Sequence, residues 1–180
     1  MKVCVFCGSS AGINPIFARN AKDLAVLLAQ ANCGLVFGGG NIGLMGILAD
    51  EVIQNGGEVI GVIPDFLVRR ELAHKGITRL EVVSSMHERK QRMADLADAF
   101  IALPGGWGTL DELAEILTWR QLGLINKPIG LLNTNGFFDA LLGQMQKMVD
   151  EGFLQKAYLS DLTIASTPRM LLGKWGMSFP

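Results

Sequence analysis

The chain has 180 residues, of which 16 are Lys or Arg and 17 are Asp or Glu, and its net charge at pH 7 is -1. Charged residues make up 18% of the chain, against roughly 25% in an average soluble protein, and they form neither a basic tail nor an acidic block. The length fits one globular domain, residues 1–180, and the charge pattern argues against a nucleic-acid partner.

The apolar stretches are too short for a membrane-spanning helix, which needs about 20 consecutive apolar residues. Residues 42–49, for example, are interrupted by glycine and end next to a charge. The apolar run at residues 3–7 is shorter than the roughly 7 to 15 residues of a signal-peptide core, and it leads directly into a glycine turn. We therefore expect a cytoplasmic protein without a membrane partner.

Short β-branched runs alternate with longer helical patterns along the chain. The pattern predicts strands at residues 3–7, 35–37, 58–63, 79–83, 99–103 and 128–132. It predicts helices at residues 15–31, 44–54, 86–97, 109–122 and 137–150, followed by a last strand and helix. Because apolar strands bounded by helices are typical of a covered parallel sheet, we expect a Rossmann-like α/β domain with helices on both faces of a doubly wound sheet.

The cysteines and histidines do not indicate a metal or redox site. Cys4 and Cys7 are spaced as C-x-x-C, but residues three apart on a strand point to opposite faces. Cys33 is isolated, and His74 has no Cys or His at ligand spacing. We expect two buried thiols in the first strand, no disulfide framework, no metal and no other cofactor.

Three glycine-rich loops, at residues 8–12, 38–43 and 104–109, each connect a predicted strand to a predicted helix. In a doubly wound sheet, ligands bind beyond the carboxyl ends of the strands. Glycine allows a ligand to approach main-chain N–H groups, and the amino end of the following helix favours an anion. Together the loops predict an anion site large enough for a nucleotide.

The second loop has two further interpretations. Gly38, Gly40 and Gly43 match the dinucleotide pattern G-x-G-x-x-G, and Asp65 lies about 20 residues later, where such folds place the ribose-binding acid. An NAD-binding oxidoreductase is therefore an alternative, although the pattern follows the second strand rather than the first. The same glycines also suit close packing of a helix on the sheet.

The third loop places Thr109 as the expected N-cap of a helix, with Glu112 in its first turn. One interpretation is a capping box, in which Glu112 accepts a hydrogen bond from the backbone N–H of Thr109. The other is a functional carboxylate beside the glycine turn. Spacing alone leaves both open.

A second capping box, Ser85 with Glu88, is expected to begin the next helix upstream. On that helix Arg89 projects within about 60° of Met86 and Met93, on the side that the apolar residues mark as inward. Because an unpaired buried charge is costly, an inward guanidinium needs an anion. A protein carboxylate in a structural ion pair and a bound phosphate both satisfy this requirement.

With these motifs the chain resembles, nearly end to end, the Lonely Guy (LOG) family of cytokinin-activating phosphoribohydrolases. The family motif P-G-G-x-G-T-x-x-E is met in full, and so is M-x-x-R-K. The matching residues are Pro104, Gly105, Gly106, Gly108, Thr109 and Glu112 for the first motif and Met86, Arg89 and Lys90 for the second. Residues 7–10 and 38–40 fill further glycine positions, whereas Trp107 and Asp111 replace the Tyr and Glu of many relatives.

The resemblance implies hydrolysis of the N-glycosidic bond of adenosine 5'-monophosphate or an N6-substituted form, releasing free base and ribose 5-phosphate. It implies Arg89 and Glu112 as the catalytic residues, and a homodimer in which helices of two subunits close the site. The candidate substrate-binding residues are Ser9, Gly39, Gly40, Glu71, Met86, Lys90, Gly105, Gly106, Trp107, Gly108, Thr109, Leu110, Asp111 and Thr118.

A mechanism follows as a hypothesis. Cleavage at the ribosyl carbon passes through a cation-like sugar, and Glu112 would stabilise it or activate the water, while Arg89 holds the substrate and keeps Glu112 ionised. The amides of Gly106, Gly108 and Thr109 would bind the 5'-phosphate, assisted by the Thr109 hydroxyl and Ser9.

Two competing functions are a non-catalytic AMP-binding sensor and the NAD-linked oxidoreductase. The family has also been labelled lysine decarboxylase, a chemistry in which pyridoxal phosphate needs a Schiff-base lysine. No lysine of this chain falls in an obvious pocket after a strand, so we rank that activity below nucleotide hydrolysis.

Overall fold

Seven strands make up the sheet of the computed structural model, which describes residues 1–69 and 72–179. They are β1 (Lys2–Phe6), β2 (Gly34–Phe37), β3 (Val59–Pro64), β4 (Arg79–Val83), β5 (Ala99–Ala102), β6 (Ile129–Leu132) and β7 (Thr163–Ala165). Every neighbouring pair is parallel, and the order across the sheet is β4-β3-β2-β1-β5-β6-β7. The predicted Rossmann-like parallel sheet is confirmed.

Helices cover both faces of this sheet. They are α1 (Ile16–Gln30), α2 (Gly43–Gln54), α3 (Asp65–Val68), α4 (Met86–Leu96), α5 (Trp107–Gln121), α6 (Asp139–Asp150), α7 (Lys156–Ser160) and α8 (Pro168–Lys174). Side chains alternate along β1, so that Val3 and Val5 pack with α1, α2 and α8, whereas Cys4 and Phe6 pack with α4 and α5. One strand thus contributes to two separate apolar cores.

The chain changes its direction of travel across the sheet at β1. Strands β2 to β4 lie on one side of β1, and β5 to β7 lie on the other. The loops after β1 and β5 therefore diverge at the carboxyl edge, which is where open α/β sheets bind ligands. The amide of Gly8 donates to the carbonyl of Pro104 at 3.1 Å and joins these two loops.

Some helix boundaries differ from the prediction. The helix expected at 137–150 begins at Asp139, because a 3-10 turn (Thr134–Gly136) comes first and the Asn133 side chain accepts a hydrogen bond from the Phe138 amide at 2.8 Å. The sequence pattern does not predict α3 or α7, since four or five residues show too little periodicity. After Ala165 the chain forms α8, which completes one of the apolar cores.

Within residues 1–69 and 72–179, no helix combines the length and apolar composition that a membrane span requires. The same part of the chain holds no group of three or more His, Cys, Asp or Glu residues placed to bind a metal ion. Cys4, Cys7 and Cys33 are buried free thiols, and Cys4 and Cys7 lie in cores on opposite faces of the sheet, as expected.

Candidate active site

A cleft of about 330 Å³ opens at the carboxyl edge of the sheet. Its lining residues are Cys7, Gly8, Ser9, Gly38, Gly40, Ile42, Met45, Ile63, Leu67, Leu72, Arg89, Gly106, Trp107, Gly108, Thr109 and Glu112. All three glycine-rich loops contribute to this lining. The three loops lie far apart along the chain, but each follows a strand of the parallel sheet, and the carboxyl ends of these strands lie at one edge.

Arg89 and Glu112 form an ion pair in the cleft. The Nη1 atom of Arg89, on α4, lies 3.3 Å from Oε1 of Glu112, on α5, and the two side chains are only 10% and 8% exposed. The other guanidinium donors bind main-chain carbonyls: Nε donates to Val62 at 3.2 Å and Nη2 donates to Gly38 at 3.4 Å. The inward direction expected for Arg89 is observed, and its anion within the chain is Glu112.

The glycines of the second loop are explained by close packing. A Cβ atom at Gly38 would lie 1.8 Å from Nη2 of Arg89, so only glycine lets the guanidinium pass. Gly43 has a φ of +63° and its Cβ would lie 2.3 Å from the carbonyl carbon of Ser9. These contacts account for the G-x-G-x-x-G pattern without a dinucleotide, and Asp65 pairs with Arg69 at the end of its own helix.

Helix α5 begins earlier than the sequence predicts. Its N-cap is Gly106 rather than Thr109, and the first helical residue is Trp107. Thr109 is buried, with its hydroxyl against Gly105, where a Cβ would approach Oγ1 to 2.1 Å. The expectation of Thr109 as N-cap is therefore wrong, and so is the capping box with Glu112, whose carboxylate turns to Arg89 instead. The glycine turn allows the chain to enter the helix directly.

The first turn of α5 presents free main-chain donors. The amide of Leu110 binds the Gly106 carbonyl at 3.1 Å, which is the first hydrogen bond of the helix. Within the described ranges, the amides of Gly106, Trp107, Gly108 and Thr109 have no protein acceptor. Unpaired amides at a helix amino end attract anions, because the helix dipole adds to their own partial charge.

Burial governs the charge of Glu112. It raises the pKa of this carboxyl from its ordinary value of 4.5 to about 7, although the neighbouring Arg89 acts in the opposite direction. Arg89 thus favours the carboxylate as expected, but loss of solvation is the larger effect. Burial also raises the pKa of the Cys7 thiol on the cleft floor, so that this thiol stays neutral. Glu112 can consequently exchange a proton near neutral pH.

A strap of residues 72–74 covers the second loop from the side of α3. The amide of Asn41 donates to the Leu72 carbonyl at 2.9 Å, and the amide of His74 donates to the Gly39 carbonyl at 2.8 Å. His74 also contacts Asp50 of α2 through Nε2 at 2.9 Å, which ties the strap to the helix. Leu72 thereby becomes part of the cleft wall.

The candidate site residues fall into three groups. Those lining the cleft are Ser9, Gly40, Arg89, Gly106, Trp107, Gly108, Thr109 and Glu112. Those outside the lining are Gly39, Met86, Lys90, Gly105, Leu110, Asp111 and Thr118. Glu71 lies outside the residues that the structure describes.

Leu110 and Thr118 belong to a different surface of α5. They line an apolar groove of about 320 Å³ formed with α6 and α7. Thr118 is nine residues beyond Thr109, or about 13 Å along a helix, and its hydroxyl donates to the Ala114 carbonyl at 2.7 Å. In this chain the groove and the cleft are separate.

One wall of the cleft was missed by sequence reasoning. Met45, Ile63, Leu67 and Leu72 form an apolar wall of the cleft, and the exposed Ile42 also contributes to the lining. The sequence pattern favours Met45 as core filler, and nothing in the spacing of the other three distinguishes them from core residues. A signal was available in Ile63, which ends the apolar run of a strand and so lies near the carboxyl edge.

Comparisons with known proteins identify the family. The family model described as "Possible lysine decarboxylase" matches residues 45–174. The probable cytokinin riboside 5'-monophosphate phosphoribohydrolase LOGL2 of Oryza sativa subsp. japonica is 46% identical over 173 residues, or 96% of this chain and 71% of the relative. The corresponding enzyme LOG1 of Arabidopsis thaliana is 45% identical over 173 residues, or 96% of this chain and 81% of the relative.

Solved structures agree on the fold. A molybdenum cofactor binding protein of Rippkaea orientalis superposes with a TM-score of 0.74 at 24% identity, covering 97% of this chain and 94% of that one. The molybdenum cofactor carrier protein of Chlamydomonas reinhardtii gives 0.70 at 20% identity, covering 97% and 95%. At such identities the likeness shows the fold alone, whereas the family model and the relatives at 45% and 46% identity show that the chain belongs to the LOG family.

Proposed function

We propose that the chain hydrolyses the N-glycosidic bond of purine nucleoside 5'-monophosphates, with adenosine 5'-monophosphate and its N6-substituted forms as the substrate class. The products are the free base and ribose 5-phosphate. The observation that carries this proposal is the buried Arg89–Glu112 pair, which shares one cleft with the free amides of α5. The LOG relatives are named for the same reaction on cytokinin riboside 5'-monophosphate.

The 5'-phosphate binds at the amino end of α5. The amides of Gly106, Gly108 and Thr109 supply donors without competing acceptors in the described chain, and Ser9 faces them from the loop after β1. A dianion placed there gains from both the hydrogen bonds and the helix dipole. A nucleoside without the phosphate forgoes these contacts and is a poor substrate.

Glu112 is the catalytic carboxylate. When the C1'–N9 bond breaks, its electron pair leaves with the base and the sugar becomes cation-like. A water oxygen then bonds to C1' and one of its protons passes to Glu112, while the departing base takes up a proton from solvent on nitrogen; Glu112 then returns its proton to solvent. The pKa of about 7 suits a group that accepts a proton near neutral pH, and Arg89 holds the carboxylate in place.

The purine lies against the apolar wall. Met45, Ile63, Leu67 and Leu72 offer a surface for the flat face of a base and for an apolar N6 substituent. Trp107, which is 88% exposed at the rim, is available to cover the base from the other side. This division of the cleft matches a ligand with one anionic and one apolar end.

The active unit is proposed to be a homodimer in the cytoplasm, in which helices of two subunits close the site. Exposed apolar residues lie at or near the rim of the cleft, namely Trp107, Ile42 and Phe66. The outer face of α5 carries Leu110 and Thr118. A second subunit would cover such surfaces. Sedimentation as a monomer at working concentration would contradict the dimer, and cell fractionation tests the location.

A chromatographic assay tests the activity. Purified protein is incubated with AMP, an N6-alkylated AMP, GMP and adenosine, and free base and ribose 5-phosphate are measured. We expect release from the adenine monophosphates and little from adenosine. Equal turnover of AMP and adenosine would refute the phosphate site. Calorimetric binding of AMP without release of adenine would instead indicate the non-catalytic sensor.

A further inference from the structure

Lys90 follows Arg89 on α4, but its side chain leaves the cleft. Its Nζ atom lies 3.1 Å from Oδ2 of Asp111 and 3.2 Å from Oε1 of Glu115, and the lysine side chain is only 12% exposed. Lys90 is also absent from the lining of the cleft. A lysine held in this way contacts two carboxylates of α5 rather than a ligand in the cleft.

The two partners of Lys90 flank Glu112 on the same helix. Asp111 precedes Glu112 and Glu115 follows it by three residues, so three carboxylates lie within about one turn. Like charges at this separation disfavour ionisation of the most buried member. The cations that face this acidic turn are Arg89 and Lys90 of α4, while Cys4 of β1 and Cys7, which directly follows β1, contribute neutral thiols.

We propose that Lys90 is a positioning residue that acts through Glu112: by pairing with Asp111 and Glu115, it keeps Glu112 in the ionised form that the reaction needs. This inference rests on the proposed function, because it gives Lys90 a part in the same hydrolysis. The family resemblance implies a direct contact between Lys90 and the substrate. In this proposal Lys90 instead acts electrostatically on Glu112, through its ion pairs with carboxylates of α5.

The charges around Glu112 support this role. Burial is the main cause of its raised pKa; Arg89 and Lys90 act to lower the pKa, whereas Asp111 and Glu115 act to raise it. Partial burial acts to lower the pKa of Lys90 itself, but the hydrogen bonds to Asp111 and Glu115 outweigh it and leave the pKa above 10.5. Lys90 is therefore charged throughout the range in which Glu112 titrates.

The test compares Lys90→Met, which keeps the side-chain length and removes the charge, with Lys90→Arg, which keeps the charge. Lys147→Met is the matched control, because Lys147 of α6 forms an exposed ion pair with Glu151, the residue that follows this helix. The pH profile of kcat/KM is measured for each. We expect Lys90→Met to raise the apparent pKa of the acid limb of this profile by on the order of half to one pH unit. At pH values below that pKa, kcat/KM then falls by about threefold to tenfold. Lys90→Arg and Lys147→Met keep the wild-type limb.

A second substitution separates the two roles of Lys90. Removing one flanking carboxylate, in Lys90→Met combined with Glu115→Gln, should return the acid limb toward the wild-type position. If Lys90 contacts the substrate directly, Lys90→Met raises KM by the same factor at every pH and Glu115→Gln does not rescue it. That result would overturn the proposal.

A readout without substrate keeps this inference apart from the proposed function. The Glu112 carboxyl is titrated by carbon-13 NMR in glutamate-labelled protein, and its signal is identified by its loss in Glu112→Gln. We expect a higher midpoint in Lys90→Met and a lower one in Glu115→Gln, so Glu115→Gln still decides the matter if Lys90→Met fails to fold. Unchanged midpoints refute the role of Lys90, whereas absence of base release by the wild type refutes only the hydrolase.

Discussion

The first turns of α4 and α5 share one local sequence pattern and differ in structure. Ser85 with Glu88 and Thr109 with Glu112 both read as a capping box. In α4 the amide of Glu88 donates to the Ser85 hydroxyl at 3.1 Å, and the Glu88 carboxylate accepts bonds from the Ser84 amide and hydroxyl at 2.7 Å. In α5 the same pattern places a buried carboxylate against Arg89.

This difference shows that burial, and not the local sequence pattern, decides whether such a glutamate binds the helix start or can exchange a proton near neutral pH. Glu88 is solvated, and its hydrogen bonds with Ser84 lower its pKa. Glu112 lies under the cleft, where burial raises its pKa to about 7. The glycine turn before α5 moves the N-cap back to Gly106, and this frees Glu112 from capping.

The largest expected effect comes from the two glutamates themselves. Glu112→Gln should lower kcat for AMP hydrolysis by about 100-fold or more, because the positioned acid–base group is lost, and it should leave the fold intact. Glu88→Gln is the matched change at the other helix and should keep near wild-type turnover. Chromatographic rates and circular dichroism measure both. Near wild-type activity of Glu112→Gln would contradict the catalytic role and indicate that this residue is purely structural.

The second prediction concerns the path by which Arg89 reaches Glu112. Gly38→Ala places a methyl group 1.8 Å from Nη2 of Arg89, so the guanidinium must move. We expect at least about a tenfold loss of kcat/KM and a loss of stability of about 1–3 kcal/mol from overpacking. Gly143→Ala on α6 is the control, since nothing lies within 4 Å of its Cβ position. Wild-type kinetics of Gly38→Ala would show that the position of Arg89 is unimportant.

The third prediction uses the opposite pKa shifts of the two glutamates. Because the folded pKa of Glu112 is raised from 4.5 to about 7, this group stabilises the fold below pH 4.5 and loses that contribution, about 3 kcal/mol, as the pH rises through 7. The lowered pKa of Glu88 gives a contribution present above pH 4.5 and lost as the pH falls. Urea unfolding between pH 4 and pH 8 compares wild type with Glu112→Gln and Glu88→Gln. Parallel curves for all three would contradict the shifts.

The smallest effects are expected from the hydroxyl residues of the two turns. Ser85→Ala removes a cap and should cost about 1 kcal/mol of stability with unchanged kinetics. Thr109→Ala removes no cap, and should raise KM for AMP several-fold through loss of a hydroxyl at the phosphate site. Thermal unfolding and initial rates test the pair. An unaltered KM in Thr109→Ala would remove that hydroxyl from the proposed phosphate site.

Much of the fold is predictable from the sequence because its signals are local. Apolar β-branched runs identify β1, β3 and β5 through their buried faces, and the glycines after β1, β2 and β5 mark loops of the carboxyl edge. The Ser85 cap of α4 is equally local, although the Glu88 carboxylate binds the Ser84 amide rather than the Ser85 amide of a full capping box. Arg89 is predicted to point inward because helical periodicity places it beside Met86 and Met93.

The rest depended on contacts between distant segments. The N-cap of α5 is wrong in the prediction, since the spacing cannot show that Gly105 and Gly106 carry the chain into the helix. Leu72 reaches the apolar wall because the strap is hydrogen-bonded to Gly39 and Asn41. The orientation of Lys90 toward Asp111 and Glu115 likewise requires α4 and α5 to be placed side by side.

The parallel α/β architecture, the three ligand-facing loops and the family can all be inferred from the residues alone, because periodicity and motif spacing are properties of neighbouring residues. Which carboxylate is buried, which cation faces it and which apolar residues join the cleft depend on the folded arrangement. Solvation and charge depend on atoms brought together from β1, α4 and α5, and those distances are set by packing rather than by position along the chain.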